Sequence, residues 1–204
     1  MVEKVAIPEQ KVSRIIDAAQ KRFAHYGLAK TTMNDIADDL GISKASLYYY
    51  FPDKESIFKY VVQMEQVDFC NKMNQLINSH KEISHALTSY VEIRIEYFKK
   101  LINLGHLNYD SFHEAKPLYI ELGKAFFERE KEMIKALLQE ASEKKEIQKI
   151  DIDEYATFFV RVLCSLRLYI LEKKELWELG GLDSKVKHEY LFFTNIFLKG
   201  IKSV

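Results

Sequence analysis

A short stretch around residue 46 carries side chains that can contact the edges of DNA bases. Lys44 can donate to O6 and N7 of guanine, Ser46 can contact several bases, and Ala45 can touch the methyl group of thymine. The hydroxyls of Tyr48 and Tyr49 can reach phosphate oxygens, which position a protein on DNA without specifying a sequence. Because three consecutive tyrosines on a helix cannot all face one core, at least one of them must be exposed.

The residues just before this stretch fit a helix-turn-helix, which needs two short helices that cross steeply with a tight turn between them. Ala37 is small enough for close packing, and Gly41 can take a positive φ at little steric cost. The residues predicted to form the core of this motif are Ile36, Ala37, Leu40, Gly41, Ile42 and Leu47. An ordinary pair of short helices in a bundle is the alternative that the pattern leaves open.

Capping signals predict the helices that position these side chains. A first amphipathic helix, with Phe23 on its apolar face, ends near Gly27. Thr32 and Asp35 have the form of a capping box at the start of a second helix, which extends to Leu40.

Two further caps follow. Ser43 can cap a third helix that extends to about Phe51, and Asp53 can cap a long fourth helix that extends to about Ser79. Lys54 lies in the first turn of that fourth helix, where its ammonium and the helix amides could together hold a phosphate.

The rest of the chain is predicted to be helical as well. Helices are expected at about 84–103, 116–145, 153–178 and 184–202, with a shorter one near 106–114, and Pro117 suits the start of a helix. With 7 glycines and 3 prolines in 204 residues, a turn-rich β fold is disfavoured. We therefore predict an all-α fold in two domains, a helix-turn-helix DNA-binding domain at 1–60 and a second helical domain at 61–204.

Charge and composition limit the possible partners. The chain has a formal net charge of zero, so any attraction to phosphate must be local. Cys70 and Cys164 match no metal-ligand spacing and are expected to be buried, reduced thiols. No apolar run approaches the length of a membrane span, and we expect a cytoplasmic protein that binds no membrane.

The N-terminal stretch resembles the tetracycline-repressor (TetR) family of regulators. The resemblance lies in Thr31–Ala37, Leu40–Phe51 and Asp53–Phe58, and Ala18–Gly27 is similar to the first helix of the family. It implies that Lys44, Ala45, Ser46 and Tyr48 lie on a DNA recognition helix and that Thr32, Tyr49 and Lys54 match positions that commonly touch phosphate. Ala45 is a mild departure, because many members have glycine there. The family also implies a C-terminal domain that dimerises and binds a small molecule.

The last two long helices are too apolar to bury only one side within one chain. A partner subunit is the natural cover, although a thick single-chain core remains the alternative. The residues predicted to form a homodimer interface are Phe158, Val162, Leu166, Tyr169, Leu191, Phe193, Ile196 and Phe197.

Aromatic and basic residues of the C-terminal domain could line a pocket for a small effector. The predicted lining residues are Tyr90, Arg94, Tyr97, Tyr109, Phe112, Phe126, Arg161 and Trp177. Arg94, Arg161 and Arg167 could pair with an anionic ligand or point to solvent. His106, Asp110 and His113 share one helical face and could hold a metal, although a polar helix face is the simpler interpretation. We assign no metal, cofactor or catalytic residue.

These patterns predict a DNA-binding transcriptional regulator, by family default a ligand-released repressor that binds a palindromic operator as a dimer. The sequence contains no nucleophile–base pair, phosphate loop or dinucleotide-binding fingerprint, so an enzyme is not expected. Two alternatives remain open: a helical enzyme or ligand carrier with a regulator-like N-terminus, and a regulator without a small-molecule input.

Overall fold

The computed structural model describes residues 9–77, 82–104, 109–178 and 182–202. These residues form nine helices: α1 (Glu9–Lys30), α2 (Met33–Leu40), α3 (Lys44–Tyr50), α4 (Lys54–Ile77), α5 (Ile83–Leu104), α6 (Tyr109–Glu143), α7 (Ile152–Leu171), α8 (Lys174–Glu178) and α9 (Leu182–Ile201). Within the described ranges there is no β-strand, and an isolated antiparallel bridge pairs Ile147 with Lys202. The predicted all-α fold class is confirmed.

Two predicted helix boundaries in the C-terminal half are wrong. The segments predicted at 106–114 and 116–145 belong, over the described residues, to the single helix α6, which continues through Pro117. Buried Phe112 before the proline and buried Leu122 and Phe126 after it share the core, and this packing outweighs the lost backbone hydrogen bond. The predicted helix 153–178 is interrupted after Leu171, where no glycine or proline marks the break.

The chain divides into two compact units. Unit 1 contains Met1–Glu65 and Lys100–Leu107, and unit 2 contains Gln66–Lys99 and Asn108–Val204. Helix α4 is continuous over the division between Glu65 and Gln66.

The core of unit 1 joins α1, α2 and α3 to the start of α4. Phe23, Ile36, Leu47 and Phe58 are fully buried, and the rings of Phe23 and Phe58 meet edge to face with centroids 5.3 Å apart. Helices α2 and α3 are therefore held by apolar burial, since both are too short to be stable alone.

The core of unit 2 is aromatic. Phe69, Tyr97 and Phe126 form a cluster with ring centroids 4.9 to 5.3 Å apart. Helix α7 packs against both α6 and α9. None of the helices over the described residues combines the length and apolar character needed to cross a membrane.

Candidate nucleic-acid interface

Caps fix both ends of α2 and the start of α3. The Asp35 N–H donates to Thr32 Oγ1 at 3.2 Å, and the Thr32 N–H donates to Asp35 Oδ2 at 2.9 Å, which confirms the predicted capping box. Gly41 ends α2 in the left-handed conformation with φ 64°, as predicted. Ser43 Oγ then accepts from the Ser46 N–H at 3.1 Å and begins α3. Local hydrogen bonds therefore set the angle at which α3 leaves α2.

Burial of one side anchors α3. Leu47 is fully buried beneath the helix, and Ile36 and Ala37 are buried on α2. Leu40 and Ile42 are half-buried around the turn. Because Leu47 is the only residue of α3 that is buried, most of the surface of this short helix stays outside the core.

The outer face of α3 presents five exposed side chains, namely those of Lys44, Ala45, Ser46, Tyr48 and Tyr49. Tyr49 is 83% exposed and Tyr48 43% exposed. Packing within the core does not explain two large aromatic side chains in solvent, whereas contact with a partner does. The Lys44 ammonium lies 5.7 Å from the centre of the Tyr48 ring. This face carries cationic, hydroxyl and aromatic groups and no acidic residue, which suits contact with DNA.

Two basic residues of α1 lie beside this face, and sequence reasoning missed them. Exposed Lys11 and Arg14 line an open groove of about 390 Å³ together with Ala45, Ser46 and Tyr49. Their one-turn spacing, on the side of α1 away from its buried apolar face, was the available signal. The groove therefore brings local positive charge next to α3 in a chain whose net charge is zero.

Lys54 has a different environment from the one predicted. Its ammonium donates to the carbonyl oxygens of Leu28, Ala29 and Thr31 at 2.9, 3.2 and 3.0 Å. An ammonium has three N–H donors, so these contacts use all of them. Lys54 therefore holds the connection between α1 and α2, and the predicted phosphate contact, which stays a prediction, would require at least one of these hydrogen bonds to be exchanged.

Thr32 is exposed, but its hydroxyl is also engaged. Besides accepting from the Asp35 N–H, Oγ1 donates to Asp35 Oδ2 at 2.8 Å. A phosphate contact by Thr32 would compete with the capping box. Tyr49, which has no such competing bond among the described residues, is better placed than Thr32 for the predicted phosphate role.

Acidic residues of α2 are neutralised from α1. Arg22 binds Asp39 through two bonds, Nε to Oδ2 at 2.6 Å and Nη2 to Oδ1 at 2.8 Å, and lies 3.6 Å from Asp35. The hydrogen bond from Arg22 lowers the pKa of Asp39, and the hydrogen bonds from Thr32 lower the pKa of Asp35. Both carboxylates stay ionised at neutral pH, and Arg22 reduces their repulsion of phosphate.

The residues predicted for an effector pocket fall into different environments. Tyr90, Arg94, Tyr97, Phe112 and Phe126 are buried in unit 2, and Tyr109 is half-buried. Arg161 is exposed, which argues against its predicted place in an enclosed pocket. The side chain of Trp177 lies outside the described residues.

A fully buried ion pair lies at the centre of these residues. Arg94 Nε donates to Glu130 Oε1 at 2.5 Å, and both side chains are at most 1% exposed. Tyr90 donates to the same carboxylate oxygen at 2.5 Å, and Arg94 Nη1 donates to Tyr190 Oη at 2.6 Å. Burial by itself would lower the pKa of Arg94, but the charge of Glu130 together with the smaller effects of Tyr190, Cys164 and Tyr90 outweighs it and holds that pKa above its usual range. The network joins α5, α6 and α9.

The predicted dimer-interface residues lie on α7 and α9 with mixed exposure. Phe158, Tyr169 and Ile196 are 53%, 61% and 54% exposed, and neighbouring Phe192 is 57% exposed. Val162, Leu166, Leu191 and Phe193 are half-buried. Phe197 is 8% exposed and packs against Phe159 within the chain, so its contribution to a partner is small.

The structure describes two of the three residues named as possible metal ligands. Asp110 is exposed and His113 half-buried on α6, whereas His106 lies outside the described residues. Among the residues that the structure describes, no cluster of three or more potential metal ligands occurs.

Comparisons with known proteins agree with this geometry. Residues 15–61 match the sequence model of "Bacterial regulatory proteins, tetR family". The crystal structure of a transcriptional regulator from Cytophaga hutchinsonii ATCC 33406 is 38% identical and covers 95% of this chain and 99% of its own, with a TM-score of 0.84.

Two curated relatives match shorter segments. YvaF of Bacillus subtilis, an uncharacterized HTH-type transcriptional regulator, is 29% identical over 135 residues, which is 63% of this chain and 67% of YvaF. KstR2 of Rhodococcus jostii, an HTH-type transcriptional repressor, is 32% identical over 84 residues, which is 41% of each chain.

Proposed function

The chain belongs to the tetR family of bacterial regulatory proteins, and we propose that it represses transcription as a homodimer that a small effector releases from a palindromic operator. It is a DNA-binding transcriptional regulator of the helix-turn-helix type, and this family is one of regulators rather than enzymes. The observation that carries the proposal is the exposed face of α3, held by caps and by buried Leu47.

We assign base recognition to the face of α3. Its N-terminal end enters the major groove, where Lys44, Ala45 and Ser46 meet base edges and Tyr48 lies alongside them. Tyr49 contacts phosphate, and exposed Lys11 and Arg14 on the groove wall contact the backbone next to it. The predicted domains follow from this assignment, with DNA binding in 1–60 and dimerisation and effector binding in 61–204.

Dimerisation is supported by the exposed apolar side chains of α7 and α9. Large apolar residues that are more than half exposed on two adjacent helices are uncommon on a monomer surface and typical of an interface. A two-fold pair presents its recognition helices to successive major grooves about 34–36 Å apart, which explains why the operator should be palindromic.

The dimer can be tested with one double variant. Phe158→Glu with Ile196→Glu places charges on this face and should convert a dimer of two 24.0 kDa chains into a monomer in light scattering. Ile120→Glu is the matched control, because Ile120 is 43% exposed and belongs to α6 rather than to α7 or α9. A monomeric wild-type protein, or a dimer that survives the double variant, contradicts the proposed interface.

Repression is supported by the resemblance to KstR2, which is named a repressor. An effector that binds unit 2 preferentially in one conformation lowers DNA affinity, and DNA lowers effector affinity by the same factor. Helix α4 is continuous from unit 1 into unit 2, and we propose that it transmits the effect of effector binding to the DNA-binding unit.

The decisive experiment is selection of bound duplexes from a random pool with the full chain. We expect enrichment of a palindrome whose half-sites are about 10 base pairs apart between centres, and binding that weakens steeply with salt. A pool that shows no enrichment, together with no affinity for any duplex at low ionic strength, overturns the proposal.

A further inference from the structure

Two arginines of unit 2 lie against one aromatic ring, but only one of them binds a carboxylate. The guanidinium carbon of Arg94 lies 4.6 Å from the centre of the Phe98 ring, and that of Arg167 lies 3.8 Å from the same centre. Glu130 is bound by Arg94 through both of its oxygens, at 2.5 and 3.2 Å. Within the described residues, no acidic side chain pairs with Arg167, so this part of the protein carries an excess of one positive charge.

Arg167 is also short of a hydrogen-bond acceptor. Its Nε is excluded from solvent and has no hydrogen-bond partner among the residues that the structure describes. An unpaired buried donor on a charged group costs more free energy than one on a neutral group. The face of Phe98 compensates part of this cost through a cation–π contact but cannot accept the in-plane Nε proton.

Tyr190 supplies a second donor at the same place. Its buried hydroxyl accepts from Arg94 Nη1 at 2.6 Å, which leaves the phenolic proton available to another acceptor. Burial raises the pKa of Tyr190, while the charges of Arg94 and Arg167 both lower it, so both guanidinium groups lie close to this ring. The hydroxyl therefore stays protonated at neutral pH and able to donate.

We propose that Arg167, with the Tyr190 hydroxyl, binds the carboxylate of an effector whose apolar body lies against the aromatic residues of unit 2. A single negative charge matches the single excess positive charge, and a carboxylate can accept from both Arg167 and Tyr190. The buried rings of Phe98 and Tyr97, with centroids 5.1 Å apart, make the interior next to Arg167 apolar. This inference rests on the proposed function, because it names the chemical class of the proposed effector.

The test compares carboxylates with their uncharged amides. The probes are octanoate, benzoate and phenylacetate, each beside its primary amide, added to the full-length protein in a thermal unfolding assay. At about ten times Kd, a matching carboxylate should raise Tm by about 3 °C, whereas its amide should leave Tm unchanged. In Arg167→Gln the carboxylate shift should disappear, and in the exposed control Arg129→Gln it should persist.

A second measurement needs no ligand. If Arg167 is an uncompensated charge kept for binding, Arg167→Gln should unfold at the same temperature as the wild-type protein or higher, since the variant removes the unpaired ionic group. A variant that unfolds several degrees lower shows that Arg167 is structural. That result, or a panel in which no carboxylate shifts Tm through Arg167, overturns the proposal.

The outcome for the proposed function is separate. DNA affinity measured with the selected operator tests the repressor, whether or not any carboxylate binds. If a carboxylate raises Tm through Arg167 but does not weaken operator binding, the carboxylate site is supported. The proposal that its ligand releases the protein from DNA is then contradicted. A chain that binds no operator but responds to carboxylates contradicts the proposed function alone.

Discussion

Unit 1 and unit 2 place their charged side chains in opposite ways. In unit 1, Lys11, Arg14 and Lys44 are exposed around α3, and the stability of the motif comes from caps and from apolar residues beneath them. In unit 2, Arg94 and Glu130 are fully buried, where an ion pair costs desolvation and contributes little net stability. The difference fits the proposed functions, in which unit 1 binds DNA at its surface and unit 2 binds a small effector within an apolar core.

The largest effect should come from breaking the buried pair. Glu130→Gln leaves the charge of Arg94 buried without its carboxylate, and we expect a loss of about 3–5 kcal/mol in the free energy of unfolding. Urea unfolding followed by circular dichroism, at fixed protein concentration, measures this loss.

The matched control removes both charges. Arg94→Met combined with Glu130→Leu should recover most of the lost stability, because neither buried charge then remains unpaired. If the single and double variants are equally unstable, packing rather than charge pairing explains the loss, and the contrast between the two units disappears.

On the surface of unit 1, the next largest effect concerns sequence preference. Lys44→Ala should weaken binding to the selected operator by about 1–3 kcal/mol and change affinity for random duplex much less, since a base contact specifies and a phosphate contact does not. Fluorescence anisotropy on both duplexes measures the two affinities. Lys124→Ala, an exposed lysine on α6, is the control. Equal losses on operator and random DNA would assign Lys44 to the backbone instead.

The two units also differ in how much of them the sequence reveals. The caps at Thr32 and Ser43 and the left-handed Gly41 act on neighbours within four residues, so residue types at fixed spacing are enough to predict them. The Arg94 network joins residues far apart in the chain, and its contacts to Glu130 and Tyr190 depend on how α5, α6 and α9 pack. No local pattern carries that information.

Lys54 shows that local sequence patterns do not predict every side-chain contact, even within unit 1. Its position in the first turn of α4 matches a phosphate-binding position of the family, but its ammonium reaches back to Leu28, Ala29 and Thr31. Gly27, with φ 79° and ψ 164°, breaks the regular turns of α1 just before these carbonyls, which leaves them able to accept from Lys54. The sequence alone does not predict this role, because the side chain and its acceptors are more than twenty residues apart and meet only in the folded unit.

Two glycine substitutions should have opposite signs. Gly41 has φ 64° and open space around an added Cβ, so Gly41→Ala introduces backbone strain without a clash and should cost about 1 kcal/mol. Gly123 also has open space but lies within α6, and Gly123→Ala should stabilise the protein by about 0.5–1 kcal/mol. Urea unfolding of both variants tests the pair, and a stabilising Gly41→Ala would mean that α2 does not end as described.

Lys11 and Lys54 of unit 1 should differ in their effects on the salt dependence of DNA affinity. Lys11→Ala should reduce the slope of log K against log salt by about 0.9, because one phosphate contact is lost. Lys54→Ala should leave that slope unchanged while lowering thermal stability, since its three donors hold the connection after α1. A reduced slope for Lys54→Ala would restore the phosphate contact predicted from sequence.

The smallest effects should be those of pH, and they should appear at opposite ends of the scale in the two units. In unit 1, hydrogen bonds lower the pKa of Asp35, Asp39 and Asp53 below the usual 3.8. A lowered folded-state pKa adds stability that is present above the usual value and is lost as pH falls through the folded value. The protection of the α2 amides against exchange, relative to their intrinsic rates, should therefore fall below about pH 4, and Asp39→Asn should weaken that dependence.

In unit 2 the titrating groups are buried phenols. Burial, together with the charge of Glu130 for Tyr90, raises the pKa of Tyr90 and Tyr190 above the usual 10.0. A raised folded-state pKa adds stability that is complete below the usual value and is lost as pH rises through the folded value, so unit 2 should weaken above pH 10. In tyrosinate absorbance, the signal of Tyr90 and Tyr190 should appear only with unfolding. Early ionisation of every tyrosine would show that water reaches the Arg94 network, and a solvated network would no longer differ from the charged surface of unit 1.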